Sequence, residues 1–513
     1  MNIFVSKFNH ITDNILLTLS AIIAASLLIR LYYFPYGIPL TEDALYYFRY
    51  AVDTSILGNL PTREISNNGW PLFVSTFFFF FHSNNFLSYM EIQRTLTVVI
   101  SSLTVIPVYI LASRFFDKKY GLIGAILFVF EPKIIQSSLS GISDTLYIFL
   151  VTLSLALLFD TKIRIQHISF FVAALATLVR YEGVMLFVTI SIIFFILQKK
   201  DRRLIKNYCI AVGIFILTLF PLLYARTSTS GNDGVIDSVI SGGQMYVIEA
   251  TSNHNDTIFG VLSYMKSGFE NLFKFLGYIM IPYSIFLVLP GIYWFFKNKD
   301  HGKIFIIVSM IVLSIPALYA YSRGIQESRY LYVLYPLLAI LSVFTIRMFQ
   351  NKIGSVVIPI IISIVILSSI GFIEYKKSDY MHEREAFEIA KYVSSKTKVI
   401  NEYYPESKYV RVTGMVDKFP ILSSEVSFGP KLVTISENSL YDFIQNNRGF
   451  GLDNIIVDGR SNRPEFLNDV FYNEDKYSFL SKEFDSKELG YSYQVKIYKI
   501  DYAKFDNMIL PKK

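Results

Sequence analysis

Apolar runs long enough to cross a membrane constrain this chain more than any other feature. They lie near 15–34, 93–113, 120–138, 143–159, 167–180, 183–198, 207–224, 272–296, 304–320, 330–347 and 353–373. A helix needs about 20 apolar residues, each rising about 1.5 Å, to cross hydrocarbon. Lipid offers backbone N–H and C=O groups no partner, so such runs must be helical. Hydrophobic residues make up 53% of the 513 and charged ones only 17%, outside the usual range for a soluble globular protein. The chain therefore reads as a polytopic α-helical membrane protein with about 11 transmembrane helices. Residues 1–14 carry a weak positive start, and the apolar run after them is too long for a leader and lacks a small-residue cleavage site, so the first span is expected to be retained.

"WPLFVSTFFFFFH" (70–82) is as apolar as these runs but only about a dozen residues long, so it is expected along the interface or beside the bundle. Charge supports that placement. The short loops "SRFFDKK" (113–119), "DTKIRIQH" (160–167), "QKKDRRLIK" (198–206), "KNKDHGK" (297–303) and "RMFQNK" (347–352) all fall on one side only if 70–82 is not a span. Their Lys and Arg content makes that side cytoplasmic, along with the N-terminus. The net charge of +7 is thus topological. No basic stripe on a soluble domain is left to bind nucleic acid. The single cysteine, Cys209, excludes an intramolecular disulfide and a cysteine metal site.

Past Tyr375 the composition turns polar. Residues 376–513 read as a soluble α/β domain, with a helix at 383–397, strands in "YVRVTG", "KLVTIS", "NIIVDG" and "YQVKIYKI", and a helix in "NSLYDFIQNN". An odd span count places it outside. It lacks a glycine-rich phosphate loop and a metal cluster, which leaves support, a lid or acceptor docking as its expected roles.

The opposite, external loops hold the unusual polar residues. "TEDALYYFRY" sets Glu42 and Asp43 beyond the first span, where a carboxylate avoids the full cost of entering hydrocarbon. They read as a solvated pair or, against a wall of Tyr46, Tyr47 and Tyr50 beside Arg49, as a base. "SSLSGISDTLY" places Asp144 at the external start of a span, suited to capping the helix, to chemistry, or to both. Glu131 and Lys133 flank Pro132 in the same loop, as a further acid and base or as a helix end. Arg180 in "LVRYEG", Arg323 in "YSRG" and Arg329 in "ESRYLYVLYP" lie outside, against the positive-inside tendency. An arginine fork suits a lipid-linked phosphate, and equally a lipid headgroup. Glu182 and Glu327, close by in sequence, read as neutralising partners. Asn255, Asp256 and Thr257 form a glycosylation sequon in an external loop.

In their order along the chain, the acidic first loop, "NGWPLF", "ASRFFDKKYGLIGAILFVFEP", "SGISDTLY", "LVRYEG" and "ESRYLYVLYPLLAIL" resemble the GT-C superfamily of integral membrane glycosyltransferases. That superfamily includes protein O-mannosyltransferases, aminoarabinose transferases and oligosaccharyltransferase catalytic subunits. The similarity covers about 1–375, and it implies a GT-C-like transmembrane domain over 1–375 followed by the external domain over 376–513. It further implies a polyprenyl-phosphate sugar donor, membrane lipids as surroundings, and a glycan, lipid or protein acceptor on the external face. By resemblance the first-loop acid falls on Asp43, with Glu42 as the close alternative. The second-loop acid falls on Asp144, and the late-span arginine on Arg329 with Pro336. No WWDYG-type sequence is present, which favours transfer of a single sugar. Arg329, Arg323 or Arg180 would stabilise the departing phosphate, and Asp43 or Glu42 would take the acceptor's proton, with inversion at the anomeric carbon. A divalent cation, magnesium or manganese, on Glu42, Asp43 and Asp144 stays open as an alternative use of these acids. The competing class, a transporter or flippase for an anionic lipid-linked substrate, calls for mid-membrane charges and broken helices in paired halves, which the sequence does not display.

Overall fold

A computed structural model describes residues 14–62, 65–81, 83, 85–252, 257–297, 302–401, 431–460, 462–492 and 494–509. "YVRVTG" and the Asn and Asp of the sequon lie outside the described residues. The chain divides into two compact units, one of 1–34, 47–80 and 92–375, the other of 35–46, 81–91 and 376–513.

The first unit is helical, and each of the eleven apolar runs carries a helix. Among the described residues, six helices are long and apolar enough to cross a membrane: Ile15–Tyr32, Phe86–Ala112, Leu204–Ser230, Lys303–Ser322, Ser328–Ile353 and Val357–Val393. Two further pairs raise this to eight if each is one span. Lys118–Val129 with Pro132–Ser138 is bent by 58°, and Gly260–Ile279 with Ser284–Lys297 by 115°. Asp144–Leu158, Ile163–Val179 and Gly183–Gln198 are apolar but shorter. The run expected as one span over 272–296 is therefore two helices. Pro282 lies in the break, where it supplies no N–H and drives its predecessor out of the helical region. Pro132 stands at the other break in the same way. The long external stretch expected over 225–271 is largely helical too, forming Ile236–Ser252 and the start of Thr257–Ile279.

Side chains close the backbone groups that these breaks release. The Tyr335 hydroxyl donates to Ile279 O at 2.8 Å, Tyr283 to Leu127 O at 3.4 Å, and Ser369 to Phe130 O. Small residues set the packing distance elsewhere: a Cβ on Gly291 would stand 2.1 Å from Leu341 O, so only glycine lets Ser284–Lys297 approach Tyr335–Ile353 this closely. Arg30, fully buried, donates to Ser26 Oγ at 2.6 Å, Ser101 Oγ at 3.0 Å, Ser138 Oγ at 3.1 Å and Val129 O at 3.1 Å. The Gly69–Phe80 helix buries Trp70, Val74 and Phe78 along one face and leaves Phe79 and Phe80 exposed, as a segment packed beside the bundle should.

In the second unit, β3 (Asn454–Val457), β5 (Lys496–Ile500) and β4 (Leu480–Asp485) form an antiparallel sheet in the order β3-β5-β4. β1 (Val399–Asn401) pairs in parallel with β2 (Lys431–Val433). Alternation along β3 feeds two cores. Ile455 and Val457 join Phe443, Leu467, Phe479 and Phe505, while Ile456 joins Ala390, Val393 and Ile497. The buried Asn401 amide exchanges bonds of 2.9 and 2.8 Å with Ile456 O and N, extending the sheet by one side chain. Ser439 caps the Leu440–Asn447 helix by accepting from Asp442 N. Segments 35–46 and 81–91 join this unit: Gly37 N donates to Glu91 Oε1 at 3.0 Å and Arg384 Nη2 to Tyr36 O at 3.2 Å.

Glu474 ties this sheet together, accepting from Tyr498 OH at 2.5 Å and from Lys482 Nζ at 3.3 Å. The Tyr498 hydroxyl, then Lys482 and Lys496, hold its carboxyl below the usual carboxylate range. The resulting stability is present above the unfolded value, near 4.3, and is lost as pH falls through the lower folded value. Glu474→Gln is expected to cost about 1 kcal/mol at pH 7 and to flatten the acid side of the thermal stability profile, read from melts of the full chain in detergent between pH 6 and 3.

Candidate active site

Asp144 opens the Asp144–Leu158 helix. Ser143, at the cap position, makes no capping bond through its side chain. The Asp144 carboxylate is engaged across the bundle, accepting from Arg180 Nη1 through Oδ1. Arg180 ends the Ile163–Val179 helix in extended backbone, and a tight turn leads into Gly183–Gln198. That turn requires glycine at 183, because a Cβ there would lie 2.6 Å from the Thr177 backbone. The turn brings Glu182 back onto Arg180, whose Nη2 donates to Glu182 Oε1 at 2.8 Å. One guanidinium fork is thus shared by two carboxylates, with side-chain exposures of 11% for Arg180, 5% for Asp144 and 8% for Glu182. Tyr147 and Tyr330 flank it, each ring centroid 5.9 Å from the guanidinium carbon.

The loop before Asp144 is fixed from behind. Gly141 adopts a positive φ of 74°, and its carbonyl accepts from Trp70 Nε1 at 3.2 Å and Gln93 Nε2 at 2.7 Å. Trp70 of "NGWPLF" is fully buried, so that motif holds the second-loop acid in place.

Arg329 belongs to the 3-10 helix Ser328–Leu334, which runs into the Tyr335–Ile353 helix at Pro336. Together with Asp144, Arg180, Glu182, Tyr147 and Tyr330 it lines a cavity of about 20 Å³. That is room for about one water, and not for a phosphate or a sugar ring. Arg329 Nε also stands 3.5 Å from Glu327 Oε2. Arg323 is placed differently. Its Nε and Nη2 grip Glu249 at 2.7 and 2.6 Å, its Nη1 reaches Tyr319 OH at 3.0 Å, and it does not line the cavity.

Glu42 and Asp43 open the Glu42–Leu57 helix in the second unit, whereas Asp144, Arg180, Glu182 and Arg329 lie in the first. Glu42 has a φ of 52°, a left-handed conformation rare outside glycine that costs of order 1–3 kcal/mol. Of the tyrosines that follow, Tyr47 and Tyr50 are buried while Tyr46 is exposed, so the three do not form one wall. Among the described residues no three or more His, Cys, Asp or Glu side chains converge as a metal would need. Asp144 gives one oxygen to a guanidinium, whose charge opposes a cation at the same place. The described acids of the first unit therefore do not fit a divalent ion by themselves.

Two buried groups were not assigned to the interior by spacing alone. Glu131 Oε2 accepts from Ser284 Oγ at 2.6 Å, joining the two broken helix pairs, and Lys133 Nζ lies 3.4 Å over the Tyr278 ring. Glu182 read as a neutralising neighbour, and its place in a three-residue clamp depends on the turn at Gly183. Removing Arg180 leaves two buried carboxylates without the cation that bridges them. Arg180→Ala is expected to cost about 3–5 kcal/mol in denaturant unfolding of the purified protein, and adding Glu182→Gln to recover part of the loss.

Residues 86–225 match the family model described as dolichyl-phosphate-mannose-protein mannosyltransferase, a stretch that contains Asp144, Arg180 and Glu182. No curated protein matches. The fold matches an oligosaccharyltransferase of Archaeoglobus fulgidus in complex with zinc and sulfate, at TM-score 0.54 and 11% identity over 85% of this chain and 68% of that one. It matches AglB of the same organism, in complex with an inhibitory peptide and a dolichol-phosphate, at TM-score 0.52 and 12% identity over 96% and 75%. ArnT from Cupriavidus metallidurans, bound to undecaprenyl phosphate, aligns at TM-score 0.55 and 8% identity over 94% and 97% of the two chains. At such identities the likeness concerns the fold. This chain shares the polytopic helical fold of those solved structures.

Proposed function

We propose that the chain transfers a single sugar from a polyprenyl-phosphate-linked donor to an acceptor on the external face of the membrane. The observation that carries this reading is the cavity lined by Asp144, Arg180, Glu182 and Arg329 in a fold shared with proteins solved with dolichol-phosphate and undecaprenyl phosphate. Transfer breaks the bond between the anomeric carbon and a phosphate oxygen, and the electron pair leaves with the phosphate. Arg329, which lines the cavity beside Asp144, is the cation for that charge. Arg180 acts through Asp144, holding its carboxylate where it favours the oxocarbenium-like carbon. The acceptor's attacking atom forms the new bond from the opposite side and inverts the centre. Its proton passes to Asp43, or to Glu42 as the alternative. The cavity must widen to admit the donor, a rearrangement in keeping with its present size.

The orientation proposed here keeps the N-terminus cytoplasmic and residues 376–513 outside, where that domain supports the site, covers it or docks the acceptor. A second reading, a flippase for an anionic lipid-linked substrate, draws on the two bent helix pairs and the buried Glu131 and Lys133 between them. The same purified protein separates the two.

Incubated with a panel of radiolabelled polyprenyl-phosphate sugars, a transferase yields transferred or hydrolysed sugar, while a flippase in proteoliposomes only moves the intact donor across. Asp43→Asn is expected to lower turnover about 10²- to 10⁴-fold, and full turnover in both this variant and Glu42→Gln would refute the base assignment. For topology, Ser436→Cys in a Cys209→Ser background should react with a membrane-impermeant thiol reagent on intact cells. Labelling only after lysis would reverse the orientation.

A further inference from the structure

The Arg180 clamp engages one oxygen of each acid and leaves the other open. Asp144 Oδ2 and Glu182 Oε2 are both buried and make no hydrogen bond, while Oδ1 and Oε1 accept from the two terminal nitrogens of Arg180. Both acids line the cavity of about 20 Å³. A buried carboxylate oxygen without a donor is costly, and such groups are rare except where a ligand completes them.

The charge balance of the cavity selects the kind of ligand. Two carboxylates face two guanidiniums, Arg180 and Arg329, so the lining is close to neutral. A further cation would meet the charges of Arg180 and Arg329, and an anion would meet two carboxylates. A neutral hydrogen-bond donor meets neither penalty. Because the acids bind adjacent nitrogens of one rigid fork, their open oxygens are held as a fixed pair of acceptors.

We propose that Glu182, together with Asp144, forms the subsite that reads two neighbouring hydroxyls of the transferred sugar. The proposal rests on the transferase reading and adds Glu182 to it as a specificity-determining residue. A sugar ring bearing a free vicinal diol gives each desolvated oxygen its missing donor. A ring lacking one hydroxyl leaves a buried carboxylate oxygen unpaired, and a site of this kind discriminates strongly against it.

The test uses the full-length purified protein with the donor it accepts from the panel and with the mono-deoxy analogues of that donor. Wild type is expected to lose about 10²-fold or more in kcat/KM on the analogue lacking a recognised hydroxyl. Glu182→Ala should shrink that preference at least about tenfold, with Glu182→Gln restoring part of it. Glu182→Asp keeps the charge beside Arg180 but withdraws the open oxygen, and provides the same readout if the alanine variant fails to fold. An equal fall on natural and deoxy donors in these variants would assign Glu182 a structural role only and overturn the subsite. So would a wild type indifferent to every deoxy analogue, or a magnesium or manganese requirement that Glu182→Asp shifts. A wild type that turns over no donor instead refutes the transferase reading, and the subsite with it.

Discussion

Lipid supplies no hydrogen bonds, so every backbone group freed inside the bundle has to find its partner in the protein. The structure meets that demand at two breaks. Where the chain leaves helix before Pro132 and around Pro282, the hydroxyls of Ser369, Tyr283 and Tyr335 take the released carbonyls. These bonds let the polypeptide turn inside the bundle with those carbonyls paired. The first break leads through the short Pro132–Ser138 helix to the loop that delivers Asp144, so the position of the second-loop acid depends on how the preceding span is interrupted.

The same rule governs charge. Several charged groups in the first unit already have partners: Asp144 and Glu182 share one guanidinium, Arg323 grips Glu249 and Tyr319, and Glu131 accepts from Ser284. The arginines at 180, 323 and 329 differ in their surroundings. Arg180 and Arg323 each place two donors on carboxylates. Arg329 stands at a longer distance from Glu327 and lines the cavity with Asp144.

The apolar runs were legible because a 20-residue stretch of hydrocarbon contact leaves a mark no soluble fold shares, and each run carries a helix. Breaks were less legible. Pro282 sits amid residues as apolar as any span, and only the 115° bend shows that the chain does not continue across. Long-range pairs left no local trace: Glu249 lies 74 residues from Arg323, and Asp144 lies 36 residues from Arg180. Glu182 illustrates the opposite failure. It was visible two positions from Arg180 but read as a passive neighbour, because its second, unpaired oxygen is a property of burial that spacing does not encode. In the C-terminal region, β3 and β5 followed from alternation, whereas β4 has no buried residue and a bulge between Lys482 and Phe484 that breaks the period.

Arg30 carries a consequence for how the protein is made. Apart from Ser26 on its own helix, its partners lie 71, 99 and 108 residues further along the chain. During synthesis the first span must therefore enter the bilayer with an uncompensated cation two residues from its end. Until the later helices arrive, that side chain has only the headgroup layer to reach for. Its withdrawal into the serine cage marks the moment at which the first helix stops being an independent insertion and becomes part of a bundle.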